Sequence, residues 1–135
     1  MAMLPREITT ERLLLRAPVP EDAQRIFASY AQDMEVAQYL TWRPSKKLAD
    51  AEHHIHDRIL AWRRGNICAW SIIETKRDLL IGMIELRVKD GVADAGYVVA
   101  RSEWGKGYAT EALVAVIDAG LALPEINGIA AVCDV

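Results

Sequence analysis

Residues 104–113 read WGKGYATEAL, two glycines flanking a lysine just ahead of a run with helical period. The first turn of a helix has backbone N–H groups without intrahelical partners, and its dipole makes that end favourable for an anion. Gly105 and Gly107 would let the backbone come close to a phosphate, and Lys106 adds charge nearby. The spacing fits neither GxxxxGK[ST] nor a dinucleotide GxGxxG with its downstream acid. Two readings of the glycines therefore stand side by side, an anion cradle and a tight strand-to-helix turn.

Other residue types with chemical potential point to less. His53, His54 and His56 invite a metal reading because residues 53 and 56 share a helix face, but no third ligand is suitably placed, so no metal is expected. Cys68 and Cys133 sit in apolar runs without CxxC or Cys/His spacing, which reads as two buried free thiols. The 16 basic and 19 acidic residues are scattered and leave a formal charge of −3, so neither nucleic acid nor an anionic membrane is expected as a partner. No stretch approaches the roughly 20 apolar residues of a membrane span, and MAMLPREITTERLLLR lacks a signal-peptide core. A cytoplasmic protein is the expectation. At 135 residues and 52% hydrophobic, residues 1–135 are expected to form a single domain around one core.

The elements that would position the glycine turn follow from changes of period. ERLLLR (11–16) reads as a first strand. From Glu21 the residues Ala23, Ile26, Phe27, Tyr30 and Ala31 recur at helical spacing, with Pro20 suited to the first helical position. Ser45 can cap a second helix with a buried stripe of Leu48, Ala51, Ile55, Ile59 and Trp62, ending at Gly65. Residues 67–75, 79–88 and 93–100 are β-rich runs with turn signals between them, predicting an antiparallel meander. Residues 108–123 return to a helical period with Leu113, Val116, Ile117, Gly120 and Leu121 on one side. INGIAAVCDV (126–135) then reads as a strand parallel to the one before that helix, since a strand–helix–strand crossover favours a right-handed parallel arrangement. The glycine turn thus lies inside a β-α-β unit.

In this order the segments ERLLLR, YLTWRP, IGMIEL, AGYVVARSEWGKGYATEAL and AVCDV resemble the GCN5-related N-acetyltransferase (GNAT) superfamily, specifically its ribosomal-protein N-terminal acetyltransferase (RimJ/RimL-like) branch. The resemblance covers nearly the whole chain. It implies an α+β (mixed α/β) fold: a central, mostly antiparallel sheet, helices on both faces, and a β-α-β acyl-CoA-binding unit. It further implies that backbone amides from Gly105 to Thr110, through Lys106, Gly107, Tyr108 and Ala109, bind the acetyl-CoA pyrophosphate, and that Val98, Val99 and Ala100 lend backbone groups to the pantetheine arm. Trp104 stands where the wider superfamily has Gln or Arg, and Lys106 partly replaces that charge.

Acetyl transfer to a neutral amine requires removal of a proton, stabilisation of an oxyanion and release of a thiolate. The resemblance puts Asp94 where relatives often carry a Glu able to act as base through water, with Glu85 as a weaker candidate; each also reads as an exposed strand acid. Trp42 and Arg43 resemble the loop at the acceptor mouth. The leading expectation is an acetyl-CoA-dependent N-acetyltransferase acting directly on a primary amine, a peptide N-terminus or a small molecule; the rival is a non-catalytic acyl-CoA-binding module. Relatives continue past the position of Val135 with a helix and two closing strands, so the domain is expected to be incomplete at its C-terminus, and either its last strand pairs with a second copy as a homodimer or the chain is a truncated fragment with impaired catalysis.

Overall fold

A computed structural model describes residues 4–28, 48–89 and 91–122, and the backbone of residues 128–131. Six strands form one sheet in sequential order: β1 (Glu7–Thr9), β2 (Leu13–Arg16), β3 (Ile67–Glu74), β4 (Leu79–Lys89), β5 (Val92–Val99) and β6 (Gly128–Ala131). All neighbouring pairs are antiparallel except β5 and β6, which run parallel from Val92↔Gly128 to Ala95↔Ala131. The meander and the parallel last strand are as read from the sequence. β1 was not. Three residues of alternation carry too little periodic signal, and β1 exists because Ile8 pairs with Leu15 and packs against the core.

Helices cover both faces, because β3 and β4 are apolar on both sides along most of their length. On one face α1 (Asp22–Ile26) and α2 (Leu48–Arg64) pack Ile26, Ala51 and Ile55 against Ala69, Ile73, Met83 and Val98. On the other, α3 (Tyr108–Leu121) packs Tyr108, Ala112 and Val116 over Trp70, Ile84, Leu86, Ala93 and Ala95. Each large side chain buried this way contributes about 1.5–3 kcal/mol. Trp62 near the end of α2 meets Trp70 edge-on with ring centroids 5.3 Å apart and donates its indole N–H to Ala69 O.

Two helix readings need correction. The first helix starts at Asp22 with Glu21 at the N-cap, so Pro20 precedes the cap instead of opening the helix; Tyr30 and Ala31 lie outside the described residues. On α3 the buried stripe is Tyr108, Ala112, Val116 and Gly120, whereas Leu121 is 55% exposed and Leu113 and Ile117 are half-buried. Small residues face the sheet here: Ala112 shares a core cluster with Ala93 and Ala95, and small side chains let helix and strands approach closely. A reading weighted by hydrophobic size therefore turns the helix too far. The α2 stripe holds with Ala51, Ile55 and Trp62 buried and Leu48 and Ile59 half-buried.

Asp22 ties three elements together beneath this framework. It is 1% exposed, and its carboxylate accepts hydrogen bonds from Arg16 Nη1 and Nη2 (both 2.8 Å), Val19 N–H (3.1 Å) and Ser71 Oγ (2.7 Å). Burial opposes its ionisation, but the hydrogen bonds from Arg16, Ser71 and Val19 outweigh that cost and hold the carboxyl below its ordinary value.

Candidate functional site

β5 ends at Val99, a short 3-10 helix follows at Arg101–Glu103, and Trp104–Gly107 make the turn into α3. Gly105 and Gly107 both adopt left-handed backbone, with φ of 79° and 81°. A side chain there would be strained whatever the space around it, and a Cβ on Gly105 would meet nothing within 4 Å. Gly107 is the N-cap of α3 and offers no side-chain cap, so the first-turn amides have no acceptor from the cap residue. The tight strand-to-helix turn is therefore present, and its geometry is compatible with an anion.

Next to this turn lies a cleft of about 320 Å³ lined by Tyr97, Val99, Glu103, Trp104, Gly105 and the start of α3 from Gly107 to Thr110. Of the residues expected to contact a cofactor, Val99, Gly105, Gly107, Tyr108, Ala109 and Thr110 line it. Val98 and Ala100 instead pack into the core beneath α1 and α2, at 7% and 3% exposure. Ala100 N–H is bonded to Ile81 O on β4. In an antiparallel pair the backbone groups alternate sides, so those of Val99 and Tyr97 are the ones turned away from β4. Val99 O accepts the Trp104 indole N–H at 2.8 Å, which folds the turn back onto the strand. Trp104 is thus a brace between the turn and the end of β5.

Two ion-pair systems flank the turn. Glu111, in the first turn of α3, accepts from Thr10 Oγ1 (2.5 Å), Arg12 N–H (2.9 Å) and Arg12 Nε (2.7 Å). Burial opposes ionisation of Glu111, but these bonds prevail and keep its carboxyl below the usual range. Arg12 also donates from Nη1 to Lys106 O at 2.9 Å and lies 4.4 Å from the Tyr108 ring centroid. On the other flank Glu103 is 5% exposed and bonded by Arg77 Nη2 (2.5 Å), Lys106 Nζ (3.3 Å) and Ser102 Oγ (3.1 Å). The Arg77 hydrogen bond is the chief reason its carboxyl is held down to about 2, against the opposing effect of burial. Lys106, expected to serve a phosphate, places its ammonium on Glu103. Neither Glu103 nor Arg77 carried a sequence signal, because their meeting depends on the β3–β4 hairpin folding back beside the 3-10 helix.

Asp94 is exposed on β5, opposite Arg87 of β4, and is not among the residues lining the cleft. It stands three residues from Tyr97, about 10 Å along a strand. Glu85 is half-buried on β4, with Arg58 Nε of α2 3.3 Å from Oε1 and Arg87 Nε 3.9 Å from Oε2. Trp42 and Arg43 lie outside the described residues, as does Cys133. Cys68 is buried, and burial pushes its thiol up to about 11, which keeps it protonated at neutral pH. Among the described residues no three His, Cys, Asp or Glu side chains are grouped to hold a metal, and no helix is long and apolar enough to cross a membrane.

Residues 12–135 match the acetyltransferase (GNAT) domain family. The chain is 34% identical over 125 residues to the uncharacterized N-acetyltransferase p20 of Bacillus licheniformis, covering 90% of this chain and 70% of that protein. Its fold is similar to that of the Salmonella typhimurium acetyl transferase that modifies the N-terminal serine of ribosomal protein L7/L12 (TM-score 0.76, 17% identity, 93% of this chain and 71% of that one). It is also similar to the microcin C7 self-immunity acetyltransferase MccE, solved with acetyl-CoA and AMP (TM-score 0.80, 17% identity, 92% and 71%). The chain belongs to the GNAT acetyltransferase family. It is an acetyl-CoA-dependent N-acetyltransferase, with an amine as acceptor.

Proposed function

We propose that the cleft between β5 and the start of α3 is the acetyl-CoA site, and that the acceptor is a primary amine, either a peptide N-terminus or a small molecule, in the manner of the RimJ/RimL-like branch and in the cytoplasm. The observation that carries this reading is the turn itself: two left-handed glycines and an uncapped helix N-terminus border a cleft of about 320 Å³. Such a surface suits a diphosphate, because fixed amide dipoles neutralise its charge without reorganising.

In this reading the amides from Gly105 to Thr110 hold the pyrophosphate, and the Tyr97–Val99 backbone orients the pantetheine arm. Bound acetyl-CoA supplies an acetyl group already activated as a thioester. Asp94 takes the proton from the acceptor ammonium through water, leaving a nucleophilic amine, with Glu85 as second candidate. Trp42 and Arg43 border the acceptor. Across the reaction the nitrogen gains the acetyl group, the carbon–sulfur bond breaks, and the sulfur leaves as a thiol. No metal is required by these steps.

Calorimetric titration with acetyl-CoA tests the site. Gly105→Asp sets a negative charge in open space at the turn, and we expect binding to fall at least about tenfold relative to Gly105→Asn, which carries the same left-handed backbone strain without the charge. Equal affinity in the two proteins would remove the cradle assignment. Thiol release with a panel of primary amines then tests transfer.

A further inference from the structure

A cleft read as binding a diphosphate contains a carboxylate, which poses an electrostatic problem. Glu103 lines the cleft beside Gly105 and Tyr108, is 5% exposed, and is ionised at neutral pH. A fixed negative charge at that position opposes a polyphosphate unless something cancels it. Its nearest cation comes from far away in sequence. Arg77, in the β3–β4 hairpin turn, bonds Glu103 through both terminal nitrogens, Nη2 to Oε1 at 2.5 Å and Nη1 to Oε2 at 3.5 Å. Lys106 adds a weaker contact at 3.3 Å, and Ser102 donates to Oε2.

Arg77 is held from behind as well. The buried Glu74 carboxylate accepts Arg77 N–H at 2.7 Å and lies 3.4 Å from Arg77 Nε. This second carboxylate fixes the hairpin turn, so the guanidinium meets Glu103 already oriented. The four charges Glu74, Arg77, Glu103 and Lys106 sum to zero, and Arg77 is the only one that touches both acids.

We propose that Arg77 is a positioning residue of the cofactor cleft that acts through Glu103: by neutralising this carboxylate it makes the cleft accept a polyphosphate, without itself serving as the phosphate ligand. The inference rests on the cleft being the acetyl-CoA site. It assigns the β3–β4 hairpin, which contributes no residue to the cleft lining, a control over cofactor affinity. It also gives Lys106 the same task in a smaller measure, with its charge directed to Glu103.

The test is a double-mutant cycle read by calorimetric titration of acetyl-CoA at two salt concentrations. Arg77→Gln leaves Glu103 without its main counter-charge, and acetyl-CoA affinity is expected to fall about tenfold, more at low salt than at high. Glu103→Gln removes the repulsion and should bind as tightly as the parent or more so. Arg77→Gln/Glu103→Gln should recover to within about threefold of the parent, and Arg77→Lys should fall between parent and Gln. If the double variant stays as weak as Arg77→Gln while Glu103→Gln binds normally, Arg77 is a direct phosphate ligand and the proposal is overturned. If Glu103→Gln also loses affinity, the pair is a structural tie, which overturns it too; melting curves for each variant identify that case. Failure of the parent itself to bind acetyl-CoA sinks the site assignment and this inference together, whereas failure of the double variant alone sinks only the inference.

Discussion

A carboxylate in an active site is judged by what surrounds it, and the acids of this chain sort by environment. Glu103 and Glu111 are both engaged by arginine partners. Asp94 is exposed and lies opposite Arg87 on the neighbouring strand. Replacing it with Asn should lower kcat by about 100-fold, the usual contribution of a general base. The acetyl-CoA dissociation constant should hold. If instead Asp94→Asn retains parental kcat in thiol-release assays while Glu85→Gln loses it, the base is Glu85.

At the scale of elements, the glycine turn is contacted by the segment just ahead of β2. Arg12, just ahead of β2, reaches the Lys106 carbonyl and the Tyr108 ring while Glu111 grips its backbone and side chain. Arg12→Ala should therefore weaken acetyl-CoA binding about three- to tenfold, because it frees the turn whose amides must all face one way. Calorimetry beside a thermal melt checks this, and unchanged affinity would show that the two left-handed glycines suffice alone.

β4 holds a second point of control. The pairing with β3 shifts between Ile72 and Ile73, opposite Gly82, and a Cβ on Gly82 would run into the Val98 carbonyl oxygen. Gly82→Ala must push β4 and β5 apart at the segment leading to the cleft. We expect a loss of about 2 kcal/mol in chemical denaturation, the range for overpacking. A loss below about 0.5 kcal/mol would mean that β5 shifts freely, and the cleft with it.

For the whole molecule, acid sensitivity should appear in two stages. His54 is partly buried, and burial followed by the charge of Arg58 lowers its pKa from 6.5 to about 4. The unfolded chain then binds the extra proton first, so stability declines as pH falls from about 6.5 towards 4. Asp22, Glu103 and Glu111 are all held below their ordinary values. Their contributions are complete above the unfolded carboxylate range and fade as pH falls through the folded values, near 2 for Glu103. Melting temperature measured from pH 8 to pH 3 should hold level to about 6.5, then fall in both windows. His54→Gln should flatten the upper window only; a parental curve level down to pH 5 would show that the His54 environment opens in solution.

What the sequence determined follows from local physics. Alternation and turn residues fixed the meander of β3, β4 and β5, a 3.6-residue period fixed α2 and α3, and glycines after a strand and before a helix fixed where the tight turn forms. These signals lie within a few residues of each other, so they are legible in order along the chain. Tertiary structure decided the rest. It made a strand of Glu7–Thr9 through pairing with Leu14–Arg16, and chose Ala112 over Leu121 for burial because small residues permit close packing on Ala93 and Ala95. It turned Lys106 from a free cation into a partner of Glu103. The Arg77–Glu103 and Arg12–Glu111 contacts span 26 and 99 residues. A pattern read in a short window has no term for charges brought together across such distances.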